Sequence, residues 1–311
     1  MHLKYIILYL LFSLFLASSC TKELKIDLSN EQSKMVVNGL INNVEPLHVS
    51  LTESFVANED LTIKELADAE VKVYSNGQFI EQLTYESDYW NSLGAFVASF
   101  KPIPNTAYQI EIEHPDFNKA SAVAQVPTAV DLEQVEVSFG GGNNYPFSFE
   151  INPPVGKQYF YLKTYFNGFT IDSVTQEHVD QGAFIAEIPN GTLPRAERYI
   201  DNGYIFQYDV DGAQPIQITG VAKLGLPLFQ GVNLTQEERA IRKEIQLDTT
   251  QLYIHLQTLT ADAYRFYASN AKPIQQDADF FTESSSVYGN VENGLGIWAG
   301  IYVSEVAAEV N

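Results

Sequence analysis

The chain has 311 residues, 45% of them hydrophobic, enough to bury a sizeable core in one large or two ordinary domains. Asp and Glu number 39 against 18 Lys and Arg, a formal net charge of −21 at neutral pH. So acidic a balance argues against a nucleic-acid partner and against electrostatic attachment to anionic lipid, because both need basic surface.

The first segment runs MHLKYIILYLLFSLFLASSC: Lys4, an apolar run from Tyr5 to Leu16, then Ala17, Ser18 and Ser19 before Cys20. A charged start, a short apolar run and small residues follow the order of a secretory signal. The run is shorter than the ~20 apolar residues of a membrane-spanning helix. Cys20 is the one cysteine in the chain and stands where cleavage would expose it. Leu16-Ala17-Ser18-Ser19-Cys20 resembles the lipobox of bacterial lipoproteins, with its Leu one place further from the Cys than in the commonest form. Residues 1–19 are therefore expected to be a signal peptide and Cys20 the lipid-attachment site. Acyl chains there would hold the protein to a membrane at ~0.8 kcal/mol per buried methylene. With Cys20 acylated, no thiol remains for a disulfide, a zinc–thiolate centre or a nucleophile. Residues 20–34 are polar and charged and read as a lipidated tether.

Strand signals begin at Met35–Ile41. Leu47, Val49 and Leu51 then alternate with His48, Ser50 and Thr52, the period of a half-buried strand. Val71–Tyr74 and Phe79–Thr84 flank Asn76-Gly77, a hairpin turn that tolerates positive φ. Alternation returns at Phe96, Ala98 and Phe100, and again at Tyr108, Ile110 and Ile112. Val123–Val126 closes at Pro127. Many short strands at regular spacing predict a β-sandwich over residues 35–127.

In residues 128–311 the strands expected are Val135–Phe139, Phe147–Ile151, Tyr159–Phe166, Ile205–Val210, Ile216–Thr219 and Ile245–Thr258. Tyr159, Tyr161, Lys163 and Tyr165 point one way and Phe160, Leu162, Thr164 and Phe166 the other. Gly140-Gly141-Gly142-Asn143-Asn144 precedes no helix and no Lys-Ser/Thr pair, so it reads as a hairpin tip and not a phosphate loop. Thr235 and Glu238 form a capping box for a short helix near Gln236–Arg242. Thr260 caps a second, with Asp262 in its first turn; Tyr264, Tyr267 and Ala268 share a face, and Pro273 is expected to end it. Strand resumes from Ser286, with tight turns expected at Gly294, Gly296 and Gly300. The fold class predicted is all-β: two β-sandwich-like domains in tandem, the first immunoglobulin- or transthyretin-like, with one or two short helices in the second.

Tyr264-Arg265-Phe266-Tyr267 and the later Asn290-Val291-Glu292-Asn293-Gly294-Leu295-Gly296-Ile297-Trp298-Ala299-Gly300 resemble the closing signature of a family of Bacteroidota lipoproteins, the domain of unknown function 4249 family. Met35–Ile41, Ala67–Val73 and Gln158–Leu162 are similar to its earlier strands. The resemblance implies an outer-membrane lipoprotein working beside a TonB-dependent receptor in nutrient uptake. It supplies no catalytic residue. Whether the protein faces the periplasm or the cell surface stays open.

No catalytic, metal or cofactor site is predicted. Of the five histidines, His2 leaves with the signal, and His48, His114, His178 and His255 stand in no metal-ligand spacing. No Gly-x-Ser-x-Gly elbow occurs. Asp209-Val210-Asp211-Gly212 has carboxylates spaced like a piece of a calcium loop, but a strand ending in an Asp-Gly turn explains it as well. Tyr85, Tyr89, Trp90 and Asn91 lie together in what reads as a polar loop and are the ligand-contact candidates. Trp298 reads as a core anchor of the C-terminal element. The alternatives to a receptor accessory are an adhesive surface lipoprotein or a carboxylate-dependent hydrolase.

Overall fold

The computed structural model describes residues 32–55, 62–90, 93–171, 178–186, 188, 197–198, 203–212, 214–224, 246–275 and 287–311. The chain divides into two compact units, and every element below lies in the one formed by Lys34–Ser54 and Thr62–Asn311. Residues 1–31, with the expected signal and Cys20, and the helix expected near Gln236–Arg242 lie outside the described residues.

The first half supplies strands β1 (Met35–Ile41), β2 (His48–Glu53), β3 (Glu70–Ser75), β4 (Gln78–Gln82), β5 (Thr84–Trp90), β6 (Leu93–Val97), β7 (Ala107–His114) and β8 (Phe117–Gln125). The second supplies β9 (Glu133–Val137), β10 (Asn144–Ile151), β11 (Gly156–Ile171), β12 (His178–Ala186), β13 (Glu197–Arg198), β14 (Tyr204–Val210), β15 (Ile216–Lys223), β16 (Gln246–Leu259), helix α1 (Ala261–Gln275) and β17 (Leu295–Glu309). The fold is all-β as the sequence predicts, with one helix among the described residues. The period-2 pattern decides which face is buried. In β11, Phe160, Leu162, Thr164 and Phe166 are fully enclosed, while Tyr159, Lys163 and Tyr165 are partly exposed on the other face. Asn76 (φ 52°) and Gly77 (φ 76°) turn β3 into β4 as their left-handed conformations allow.

The large sheet has the order β13-β14-β11-β16-β17-β1-β2-β6-β5, with β12 added on β11. Two smaller sheets, β15-β10-β9 and β4-β3-β7-β8, cover one of its faces. The first closes a core that includes Phe149, Phe160, Phe166 and Ile254. The second closes a core that includes Val37, Val71, Ile110 and Ile112. Residues of the latter run from Met35 to Val126 and then include Trp298.

The large sheet runs through both halves because β17 joins them. Over Leu295–Gly300 it pairs in parallel with β1; over Ile301–Glu309 its other edge pairs antiparallel with β16. Each edge therefore lacks a full strand partner for part of its length, and two asparagines act as substitutes. Asn290 Oδ1 accepts from the Trp298 N–H at 2.9 Å, and its Nδ2 donates to the Trp298 carbonyl at 2.8 Å. Asn43 does the same for Val303, at 2.7 and 3.1 Å. Trp298 itself is fully buried, and its Nε1 donates to the Tyr108 carbonyl at 3.1 Å. Sequence placed it as an anchor of the C-terminal element; the core that receives it is the one built by the N-terminal strands.

Several local expectations change. Gly296 has the positive φ of a turn (97°), but Gly300 lies inside β17, so close to the Gln125 backbone that a Cβ would overlap it. The polar stretch read as a loop around Tyr85 is the edge strand β5, hairpinned with β6. Its charged side chains face solvent, which suits a strand at the end of a sheet. Helix α1 runs through Pro273 to Gln275, since proline late in a helix removes one backbone bond without stopping the last turn. Ser286, where strand was expected to resume, lies outside the described residues; from Val287 on the first strand begins at Leu295, after an isolated bridge between Glu292 and Ser121.

Two substitutions test this account by urea denaturation. Asn290→Ala leaves both backbone groups of Trp298 without their partner and should cost about 2 kcal/mol. Thr258→Val should instead stabilise by about 1 kcal/mol, because Thr258 Oγ1 is buried with no hydrogen-bond partner among the described residues.

Candidate functional site

On the face of the large sheet opposite the two cores, helix α1 covers part of the surface. It begins at Thr260, whose Oγ1 accepts from the Ala263 N–H at 3.3 Å. Asp262 in the first turn accepts from the Tyr288 hydroxyl at 2.6 Å, and Arg265 lies over the Tyr288 ring at 5.7 Å. Ala263 and Tyr267 pack on Tyr161, Leu259 and Ile301, which fixes the helix against β11, β16 and β17.

Beside α1 the described residues leave part of the face uncovered. A cleft of about 480 Å³ lies between Phe266 and Tyr267 of α1 and the β1–β2 loop at Asn42, Val44 and Glu45. The loop is held by Asn42, whose Oδ1 accepts from the N–H groups of Val44 (2.9 Å) and Glu45 (2.8 Å). Asn43 ties it to Val303 on β17. The floor is made of outward residues from five strands, Lys163, His255 and Gln257 at one end and Asn38 and Ser50 at the other.

Register aligns the polar end. Lys163 of β11 stands opposite His255 of β16, and His255 opposite Glu305 of β17. A chain of hydrogen bonds crosses the row. The Tyr267 hydroxyl donates to Gln257 Oε1 at 3.2 Å, Gln257 Nε2 lies 3.1 Å from His255 Nε2, and His255 Nδ1 lies 2.7 Å from Glu305 Oε2. A neutral imidazole with its proton on Nδ1 satisfies every link: it donates to Glu305 and accepts from Gln257. Electrostatics agree with that form. Burial lowers the pKa of His255 from its ordinary 6.5; the bond to Glu305 opposes this and the Lys163 ammonium adds to it. Glu305 also accepts from the Tyr165 hydroxyl, which burial and that carboxylate push well above its ordinary range. Tyr165 stacks on Tyr253 at 4.9 Å.

Of the four ligand-contact candidates, Tyr89 reaches the cleft indirectly. Its ring lies 5.0 Å from that of His48, a buried residue in the cleft wall. Burial, then Glu45 and Glu86, raise the Tyr89 pKa. Tyr85 turns the other way. Its hydroxyl donates to Glu65 Oε2 at 2.5 Å, and that bond, with burial, pushes it up to about 12. Asn91 and the Trp90 side chain lie outside the described residues. Asp209 and Asp211 are exposed, Asp209 opposite Lys157 on the neighbouring strand. Among the described residues no group of three or more His, Cys, Asp or Glu could hold a metal ion, and no helix is long and apolar enough to cross a membrane.

Sequence reasoning missed the cleft. The alternation in β11 and β16 placed Lys163 and His255 on strand faces, but nothing local shows that these strands are neighbours in this register. A family model described as Domain of unknown function (DUF4249) matches residues 21–306. No curated protein matches the chain.

The lowered pKa of His255 gives a signed pH dependence. Above 6.5 the ring is neutral in both folded and unfolded chains. As pH falls below that value the unfolded chain takes up the proton first, so the folded state loses stability until its own lower value is reached. His255→Gln removes this loss. The urea midpoint of the variant relative to wild type should therefore rise between about pH 7.5 and about pH 5.5. A difference that stays constant would overturn the assignment of a neutral buried ring.

Proposed function

The chain belongs to the Domain of unknown function (DUF4249) family, and we propose that it acts without catalysis as a lipid-anchored outer-membrane protein that binds a ligand beside a TonB-dependent receptor. The observation that carries the binding role is the cleft: a concavity with apolar walls and a polar floor held in place by five strands. Ligand sites favour this combination because apolar walls supply affinity and a few fixed polar groups supply orientation. The hydrogen bonds of His255 and Glu305 are spent on each other and on Gln257 and Tyr165, which suits a rigid floor better than an acid–base pair. The anchor rests on the residue order that leads to Cys20. The receptor pairing rests on what the family resemblance implies.

Two measurements test the reading. Crosslinked protein recovered from detergent-solubilised outer membrane should carry one receptor barrel in near-stoichiometric amount; recovery of none from membranes rich in the protein would remove the accessory role. Cys20→Ser should move the protein from the membrane pellet to the soluble fraction. A variant that still pellets would remove the lipid anchor.

A further inference from the structure

The polar groups around the cleft are unequally committed. Glu305 accepts from His255 and Tyr165, and Glu45 accepts from Asn42 Nδ2 at 3.2 Å. Gln257 is engaged by Tyr267 and His255. Lys163 is different. It is half-buried in the cleft floor and has no ion pair and no side-chain hydrogen bond among the described residues. Its cross-strand neighbour, His255, is a neutral ring that already has two partners. Among the other described lysines, Lys119 pairs with Glu111 and Glu113, Lys72 with Glu70 and Lys64 with Glu53, while Lys34, Lys101, Lys157 and Lys223 form no ion pair but are exposed; Lys163 is both unpaired and half-buried. A half-buried ammonium with no carboxylate in contact has its donors free for an anion, and a charge-assisted hydrogen bond is stronger than a neutral one.

We propose that the cleft takes an elongated organic anion whose carboxylate, or an equivalent acidic group, is held by Lys163. This rests on the cleft being a ligand site. The walls fit an apolar body, with Leu40, Val44 and Phe266 beside the path from Lys163. At the other end Asn38 and Ser50 stand opposite each other on β1 and β2. Neither side chain is engaged among the described residues, so both are available to a second polar group. Along β17 the row of Lys163 and His255 falls at Glu305, and Asn38 falls at Ile297. Those eight residues span about 26 Å along the strand, which calls for a long ligand and not a compact one. The acidic surface raises the selectivity of the arrangement: an anion gains at Lys163 and is repelled elsewhere.

The test uses the full chain and a matched pair of fluorescent probes, dansylaminoundecanoate and its uncharged primary amide. Binding is titrated by dansyl fluorescence at a pH of about 8, where an ordinary histidine is neutral. The carboxylate should bind about tenfold more tightly than the amide, the worth of one hydrogen-bonded charge pair. Lys163→Met should abolish that preference while leaving amide binding in place, and Lys163→Arg should keep it. Retained amide binding shows that the Met variant is folded. Equal binding of the two probes, or a preference that survives Lys163→Met, overturns the anionic ligand class and leaves the ligand-binding role standing. Saturable binding of neither probe overturns both.

Discussion

Strand β17 changes partners along its length, and the rest of the architecture depends on that change. Its first part lies beside β1 and its second beside β16, on opposite edges. A strand that leaves one neighbour before meeting the next exposes backbone donors and acceptors, and burying them unpaired would cost more than the packing gained. Asn290 and Asn43 solve this locally, each offering one donor and one acceptor to a single residue of β17. Trp298 completes the join by filling the core of the N-terminal strands from the C-terminal one. Residues near the two ends of the chain thus hold each other in place. The glycines of the signature serve the same join, since Gly300 leaves room for the Gln125 backbone and Gly296 for that of Val37.

The cleft follows from the same arrangement. Because both small sheets lie on one face of the large sheet, α1 is the element that packs on its other face among the described residues. The helix begins right after β16 and covers only part of that face. The β1–β2 loop, pinned to Val303 by Asn43, rises on the far side. The contact that satisfies the free edge of β17 therefore also sets one wall of the cleft. Its floor is as rigid as the ladders below it, and a preformed site loses little entropy when it binds.

Charge is distributed with equal economy. The outer face of the sheet β4-β3-β7-β8 carries Lys72 and Lys119 among Glu70, Glu111 and Glu113. Such exposed pairs contribute little to stability but keep a large β surface soluble. Net negative charge over the whole chain repels anions at long range, so Lys163, the uncommitted ammonium of the cleft floor among the described residues, can act on one only at short range.

The class of fold and most of the strands are legible in the residue pattern alone. Period-2 alternation is local, so Phe160, Leu162, Thr164 and Phe166 could be assigned to one face of β11 before any partner was known. Turn chemistry at Asn76-Gly77 and the cap at Thr260 were legible for the same reason. The stretch from Thr84 to Trp90 looks like a loop in the sequence because an edge strand carries polar residues on both faces, and composition then imitates a loop. Adjacency is not legible there and emerges from the folded chain. Nothing near Lys163 names His255 or Glu305 as its row-mates, and nothing near Asn43 points to Val303, 260 residues away. Strand order and register are set by long-range packing of faces, and the cleft is a product of that order; residue periodicity carries the face but not the neighbour.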